Sequence, residues 1–198
     1  MKSIISSIAH DALALSRLQL HYEQPGAIDA LKKLVHEIKR VKTSSNRVLT
    51  TGIGKSGFVA RRCAASLASV GVASHFVHGT EWVHGDFGVA LPGDLVIGFS
   101  HSGNTQELHS IQEELNLRNV KLAAIVGYQD SALGRAADHV ILAPATDEIL
   151  TKVPSRSIVV QESVVNAIVA SYVQLTEFSV EDFVVNHPGG SIGKHGRR

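Results

Sequence analysis

Five short apolar runs constrain this chain most. Residues 47–51, 73–78, 94–99, 121–127 and 138–143 read as strands. Residues 56–70, 104–118 and 131–137 carry helix-like patterns between them, and a long helix is predicted at about 156–177. The strand runs are continuous, as in Leu122-Ala123-Ala124-Ile125-Val126, rather than alternating with polar residues. A strand apolar on both faces must be covered on both, which is the situation of a parallel sheet between helices. The expected fold is therefore α/β: a doubly wound three-layer sandwich with a mainly parallel five-stranded sheet and right-handed crossovers. Its ligand site should lie outside the carboxyl ends of the strands. Upstream, residues 3–20 and 25–41 repeat apolar residues at helical spacing on either side of Gln24-Pro25-Gly26. One domain spanning 1–198 is expected, with N-terminal helices over 1–41 and the sandwich plus a C-terminal helix and turn over 42–198.

Charge narrows the partners. With 19 Lys and Arg against 18 Asp and Glu, the formal charge of +1 gives no strong field for nucleic acid or a membrane surface. The lone cysteine, Cys63, fits a reducing compartment and sits inside an apolar helical run, where buried filler is expected rather than a nucleophile. The first residues contain no long apolar stretch or small-residue cleavage site, so neither a signal peptide nor a membrane span is expected and the cytoplasm is the expected location.

Two loops sit where a strand meets a helix. The first is Thr51-Gly52-Ile53-Gly54-Lys55-Ser56-Gly57 and the second is Ser100-His101-Ser102-Gly103-Asn104-Thr105. Small residues, hydroxyls and a helix start let backbone N–H groups and Ser/Thr hydroxyls converge on an anion. The first loop is too short for a triphosphate P-loop, and Gly57 stands one position early for a dinucleotide fingerprint. Lys55 at a helix start opposes the dipole, which points to an anionic ligand. Glu107 follows in the first turn of the second helix, either as a complement to the dipole or as a general base over the ligand. Between the loops, the segment 75–88 holds His75, His78, His84, Glu81 and Asp86. It has no metal-ligand spacing, and a general acid/base histidine is the better reading. Pro188-Gly189 places His187 on a turn, its preceding backbone extended. Val153-Pro154-Ser155-Arg156-Ser157 is a third hydroxyl-bearing helix start.

Taken together, Gly-Ile-Gly-Lys-Ser-Gly (52–57), His-Gly-Asp-Phe-Gly (84–88), Ser-His-Ser-Gly-Asn-Thr-Gln-Glu (100–107) and His-Pro-Gly-Gly-Ser-Ile-Gly (187–193) resemble the sugar isomerase (SIS) domain. The likeness is to its arabinose-5-phosphate isomerases and runs over about residues 40–195. It implies interconversion of D-ribulose 5-phosphate and D-arabinose 5-phosphate through a cis-enediol, in a cytoplasmic homotetramer that needs no cofactor. Lys55, His84, Glu107 and His187 match the family's active-site positions. Gly54, Ser56, Ser100, Ser102, Gly103, Asn104 and Thr105 form the segments that hold the sugar phosphate. His187 is expected to serve a neighbouring subunit's site, and His78, His84 and His187 to offer an inhibitory zinc site. The family's product feeds Kdo-containing lipopolysaccharide or capsule synthesis. Two departures are visible. Many members continue into paired CBS modules, which are not expected here. Members also carry Ala-Pro-Thr-x-Ser where this chain has Val153-Pro154-Ser155-Arg156-Ser157, so Arg156 is expected to add a cation near the sugar. Two other readings share the pocket chemistry: an isomerase of sedoheptulose 7-phosphate or hexulose 6-phosphate, and a non-catalytic sugar-phosphate sensor. The sensor form is usually fused to a helix-turn-helix, and residues 1–41 contain no clear recognition helix.

Overall fold

The computed structural model describes residues 2–189; the Gly190-Ser191-Ile192-Gly193 part of the last motif lies outside them. Five parallel strands form the sheet: β1 (Val48–Gly52), β2 (Ser74–His78), β3 (Leu95–Ser100), β4 (Lys121–Val126) and β5 (His139–Leu142). Their order is β2-β1-β3-β4-β5. The helices are α1 (Lys2–Tyr22), α2 (Ala27–Thr43), α3 (Gly54–Ser69), α4 (Gln106–His109), α5 (Gln112–Leu117), α6 (Ala132–Ala136), α7 (Arg156–Thr176) and α8 (Val180–Asn186).

Period-two alternation sorts each strand between two cores. Leu95, Ile97 and Phe99 of β3 enter the core beneath α1, α2, α3 and α7. Val96 enters the other, with Leu108, Leu115 and Leu133 from α4, α5 and α6 and Ile111 from the α4–α5 junction. Both faces are thus covered, and β1 and β3 are buried along their whole length. Each fully buried Leu or Ile contributes about 1.5–3 kcal/mol, so these two apolar layers hold the strand ends in place. The edge strands β2 and β5 are the partly exposed ones.

Two features, a broken helix and an added one, depart from expectation, while the long helix lies where it was expected. The helix expected over 104–118 is broken: α4 ends at His109, and α5 begins at Gln112. Helix α8 begins after the long helix, on a capping box in which Ser179 Oγ accepts from Asp182 N and the Asp182 carboxylate accepts from Ser179 N. Helix α7, 21 residues long with an 18-residue stretch of mean hydropathy 1.4, is long and apolar enough to cross a membrane by length and composition. Here its apolar stripe, including Val160, Val164, Ile168 and Tyr172, packs in the core with α1, α2 and α3.

Arg156 is not the cation beside a ligand that its position suggested. It is only 3% exposed. Its Nε lies 3.2 Å from Asp11 Oδ1, and Nη2 donates to Ser7 O at 3.1 Å and Ser7 Oγ at 3.2 Å. The side chain ties α7 to α1. Cys63 behaves as expected: it is fully buried, and burial pushes its thiol up to about 12.

Candidate functional site

The strand order reverses direction between β1 and β3, which are neighbours in the sheet but are reached through opposite excursions of the chain. A cavity of about 740 Å³ opens outside the carboxyl ends of these strands, where such a switch point leaves a crevice. Gly54, Lys55 and Ser56 line it from the first turn of α3, Ser100 from the end of β3, and His101, Ser102 and Thr105 from the β3–α4 loop. The two loops singled out by their sequence therefore share one site.

Each loop has a local cause. Gly57 is pressed against the strand end, since a Cβ there would lie 2.9 Å from Gly52 O. That contact brings α3 close to β1 and aims its first turn at the cavity. Gly103 has φ +63, and a Cβ would stand 2.0 Å from Ser131 Oγ, so only glycine fits the β3–α4 turn. Inside this loop Ser100 Oγ lies 2.9 Å from Thr105 Oγ1 and accepts from Gly103 N at 3.0 Å, while Ser102 Oγ accepts from Asn104 N at 3.2 Å. These bonds hold the hydroxyl residues Ser100, Ser102 and Thr105 together on the cavity wall. Gly103 and Asn104 are not on the cavity wall, contrary to expectation. Asn104 Oδ1 accepts from Ala132 N at 3.0 Å, and Gly103 O from Leu133 N at 2.8 Å, so both anchor the back of the loop to α6.

Glu107 and His84 are brought together, but in a neighbouring cleft of about 320 Å³ lined also by Thr80, Gln106 and Ser110. Glu107 occupies the first turn of α4, two residues beyond Thr105 of the main cavity. His84 ends a 3₁₀ turn (Trp82–His84) that is pinned by fully buried Trp82, whose Nε1 donates to Thr51 Oγ1 at 2.9 Å.

His187 is elsewhere. It follows α8, stacks on Phe183 with ring centroids 3.9 Å apart, and pairs through Nδ1 with Phe183 O at 2.8 Å. Its φ of −123° and ψ of 63° leave the helical region without reaching full extension. Neighbouring Asn186 donates to Ser69 O at 3.1 Å, at the last residue of α3. Because α3 rises about 21 Å between Lys55 and Ser69, His187 stands at the far end of that helix from Lys55 of its own chain. His78, His84 and His187 accordingly do not gather within one chain, and among the described residues no cluster of three or more His, Cys, Asp or Glu fits a metal. His78 instead places Nδ1 2.8 Å from Thr80 Oγ1.

The residues missed in the sequence come from the segment before α7. Asp147, Glu148, Thr151 and Lys152 line the cavity, beside Ser157 of the hydroxyl-bearing helix start noted in the sequence. Glu148 accepts from Ser155 N, Ser155 Oγ and Arg156 N at 2.6, 2.6 and 2.9 Å, and from Ser157 N at 3.0 Å. It is the carboxylate that satisfies the orphan N–H groups of α7. Burial works to raise its pKa, but the hydrogen bonds from Ser155 and Ser157 outweigh it and hold the carboxyl at about 2. A depressed carboxylate stabilises the fold above its unfolded pKa and loses that contribution as pH falls. Glu148→Ala is expected to cost about 1–2 kcal/mol at neutral pH in urea unfolding. The gap from wild type should narrow as pH falls from about 4.5 toward 2, and a gap constant over that range contradicts the capping role.

Comparison with known proteins agrees with this fold. Residues 43–171 match the SIS domain. The chain belongs to the SIS domain family. Arabinose 5-phosphate isomerase KdsD of Escherichia coli K12 is 36% identical to it over 150 residues, 75% of this chain and 46% of that protein. An uncharacterized Rickettsia prowazekii protein is 38% identical over 148 residues, 74% of this chain and 46% of that protein. This SIS chain thus spans about half the length of the curated relatives it matches. Among solved structures, an E. coli CFT073 protein in complex with arabinose 5-phosphate is 32% identical, with a TM-score of 0.79 over 94% of this chain and 98% of that one. A Bacteroides fragilis candidate phosphosugar isomerase involved in capsule formation is 29% identical, with a TM-score of 0.84 over 96% and 97%.

Proposed function

We propose that this SIS domain is an aldose–ketose isomerase interconverting D-ribulose 5-phosphate and D-arabinose 5-phosphate. The observation that carries the reading is the meeting of Lys55 and Ser56 with Ser100, Ser102 and Thr105 around one cavity, in a chain similar to an arabinose 5-phosphate isomerase. Hydroxyls and N–H groups of the β3–α4 loop take the phosphate, whose remote binding energy fixes C1 and C2.

Isomerisation moves one proton between C1 and C2. Glu107, in the first turn of α4 and lining the neighbouring cleft, takes the proton from C1 of the ketose and returns it to C2, giving the aldose. Lys55 stabilises the negative oxygen of the cis-enediolate between these steps. His84 beside Glu107 relays the hydroxyl protons between O1 and O2 or opens the cyclic sugar. His187, out of reach in its own chain, acts on the site of a neighbouring subunit in a homotetramer. Glu148 is excluded from the base role by its four hydrogen bonds and its depressed pKa. No step calls for a cofactor.

Purified protein assayed against five-, six- and seven-carbon ketose phosphates, with and without a chelator, tests the assignment. Turnover of ribulose 5-phosphate above the others, unaffected by the chelator, is expected. Preference for a six- or seven-carbon substrate reassigns the substrate, and binding without turnover supports the sensor reading.

A further inference from the structure

One histidine lines the 740 Å³ cavity, and the scheme above does not use it. His101 stands between the two serines of the β3–α4 loop, with Nδ1 buried and without a hydrogen-bond partner. An unpartnered buried nitrogen needs a reason, and Gly127 supplies it. His101 O accepts from Gly127 N at 2.9 Å, which binds the loop to the end of β4. A Cβ at position 127 would lie 2.6 Å from His101 Nδ1 and 2.7 Å from Cε1, so this edge of the ring is sealed against backbone. Tyr128 packs on the ring with centroids 5.5 Å apart. With Nδ1 sealed, Nε2 is the nitrogen that a ligand in the cavity reaches.

The surrounding charges define what that nitrogen meets. Asp147 is engaged by Arg17 at 2.6 Å, and Glu148 by the start of α7. Lys55 and Lys152 make no ion pair among the described residues, so the wall keeps two ammonium groups and several hydroxyls for an anion. Desolvation lowers the pKa of His101, and nearby Glu148 offsets this only in part, so the ring is neutral at neutral pH. A neutral donor or acceptor does not compete with ammonium groups for a phosphate; it suits an uncharged oxygen.

We propose that His101 is a specificity-determining residue that hydrogen bonds a hydroxyl or carbonyl oxygen of the sugar through Nε2, while the hydroxyls and lysines hold the phosphate. This rests on the sugar-phosphate reading of the cavity. The contact separates a phosphorylated sugar from phosphate itself, so its loss should be selective.

Calorimetric titration of the whole chain with inorganic phosphate and with arabinitol 5-phosphate, which has no carbonyl to turn over, tests it. Wild type should bind arabinitol 5-phosphate more tightly than phosphate. His101→Phe keeps a ring on Tyr128 and removes both nitrogens; it should lose about tenfold in affinity for the sugar phosphate with phosphate binding unchanged. His101→Gln, which restores a donor and an acceptor, should recover part of the loss. Unchanged sugar-phosphate affinity in His101→Phe overturns the proposal. So does a parallel loss of phosphate affinity, which marks the ring as loop packing. A wild-type protein that does not distinguish the two ligands overturns both this proposal and the sugar-phosphate reading, and it does so before any substitution is made.

Discussion

Glu107→Gln is expected to lower turnover of ribulose 5-phosphate by about 10²–10⁴-fold, the usual contribution of a positioned acid/base group, while sugar-phosphate affinity changes little. The reason is positional. Glu107 is in the first turn of α4, while the hydroxyls and N–H groups assigned to the phosphate lie just before that turn in the β3–α4 loop. Removing the carboxylate's charge leaves that cradle intact. The measurement is kcat and KM in a coupled assay, with affinity from calorimetry on the same preparation. Activity within a few-fold of wild type removes Glu107 from the base role. A large loss of affinity instead assigns Glu107 to binding.

His187→Ala is expected to be comparably damaging although His187 lies at the far end of α3, which rises about 21 Å between Lys55 and Ser69 of the same chain. Only a second copy brings it to a site, and in a closed homo-oligomer every site then draws on two chains. Complementation follows. Glu107→Gln and His187→Ala subunits, each inactive alone, regenerate sites with both native groups when co-assembled. Random pairing at equal amounts restores about one quarter of wild-type sites. Activity should appear on mixing only under conditions that allow subunits to exchange. If no activity returns in verified mixed oligomers, His187 does not act across a subunit boundary.

Much of the fold was legible because the strands are apolar on both faces. Leu95-Val96-Ile97-Gly98-Phe99 reads as doubly covered, and the fold feeds Leu95, Ile97 and Phe99 to one core and Val96 to the other. The broken α4–α5 helix was not legible, since Leu108, Ile111 and Leu115 keep helical spacing across the break and are all buried in the same core. Helix α8 left a signal in Ser179-x-x-Asp182, overshadowed by the Pro188-Gly189 turn beyond it. At the site, the paired loops were visible because glycines and hydroxyls cluster after apolar runs. Their division of labour was not. Asn104 looks like a ligand group by composition but is consumed by Ala132 N, a partner 28 residues away. Glu148 sits in an irregular segment whose role depends on the α7 N-terminus folding back onto it. Arg156 reads as a free cation until α1 packs against α7 and supplies Asp11 and Ser7.

Proton NMR of ribulose 5-phosphate incubated with the protein in deuterated water tests the central claim most directly. An enediol path through an exchanging carboxylate yields arabinose 5-phosphate carrying solvent deuterium at C2, and Glu107→Gln should abolish both the product and the label. Contradiction would be the absence of any aldose phosphate from protein that is folded and binds the ketose.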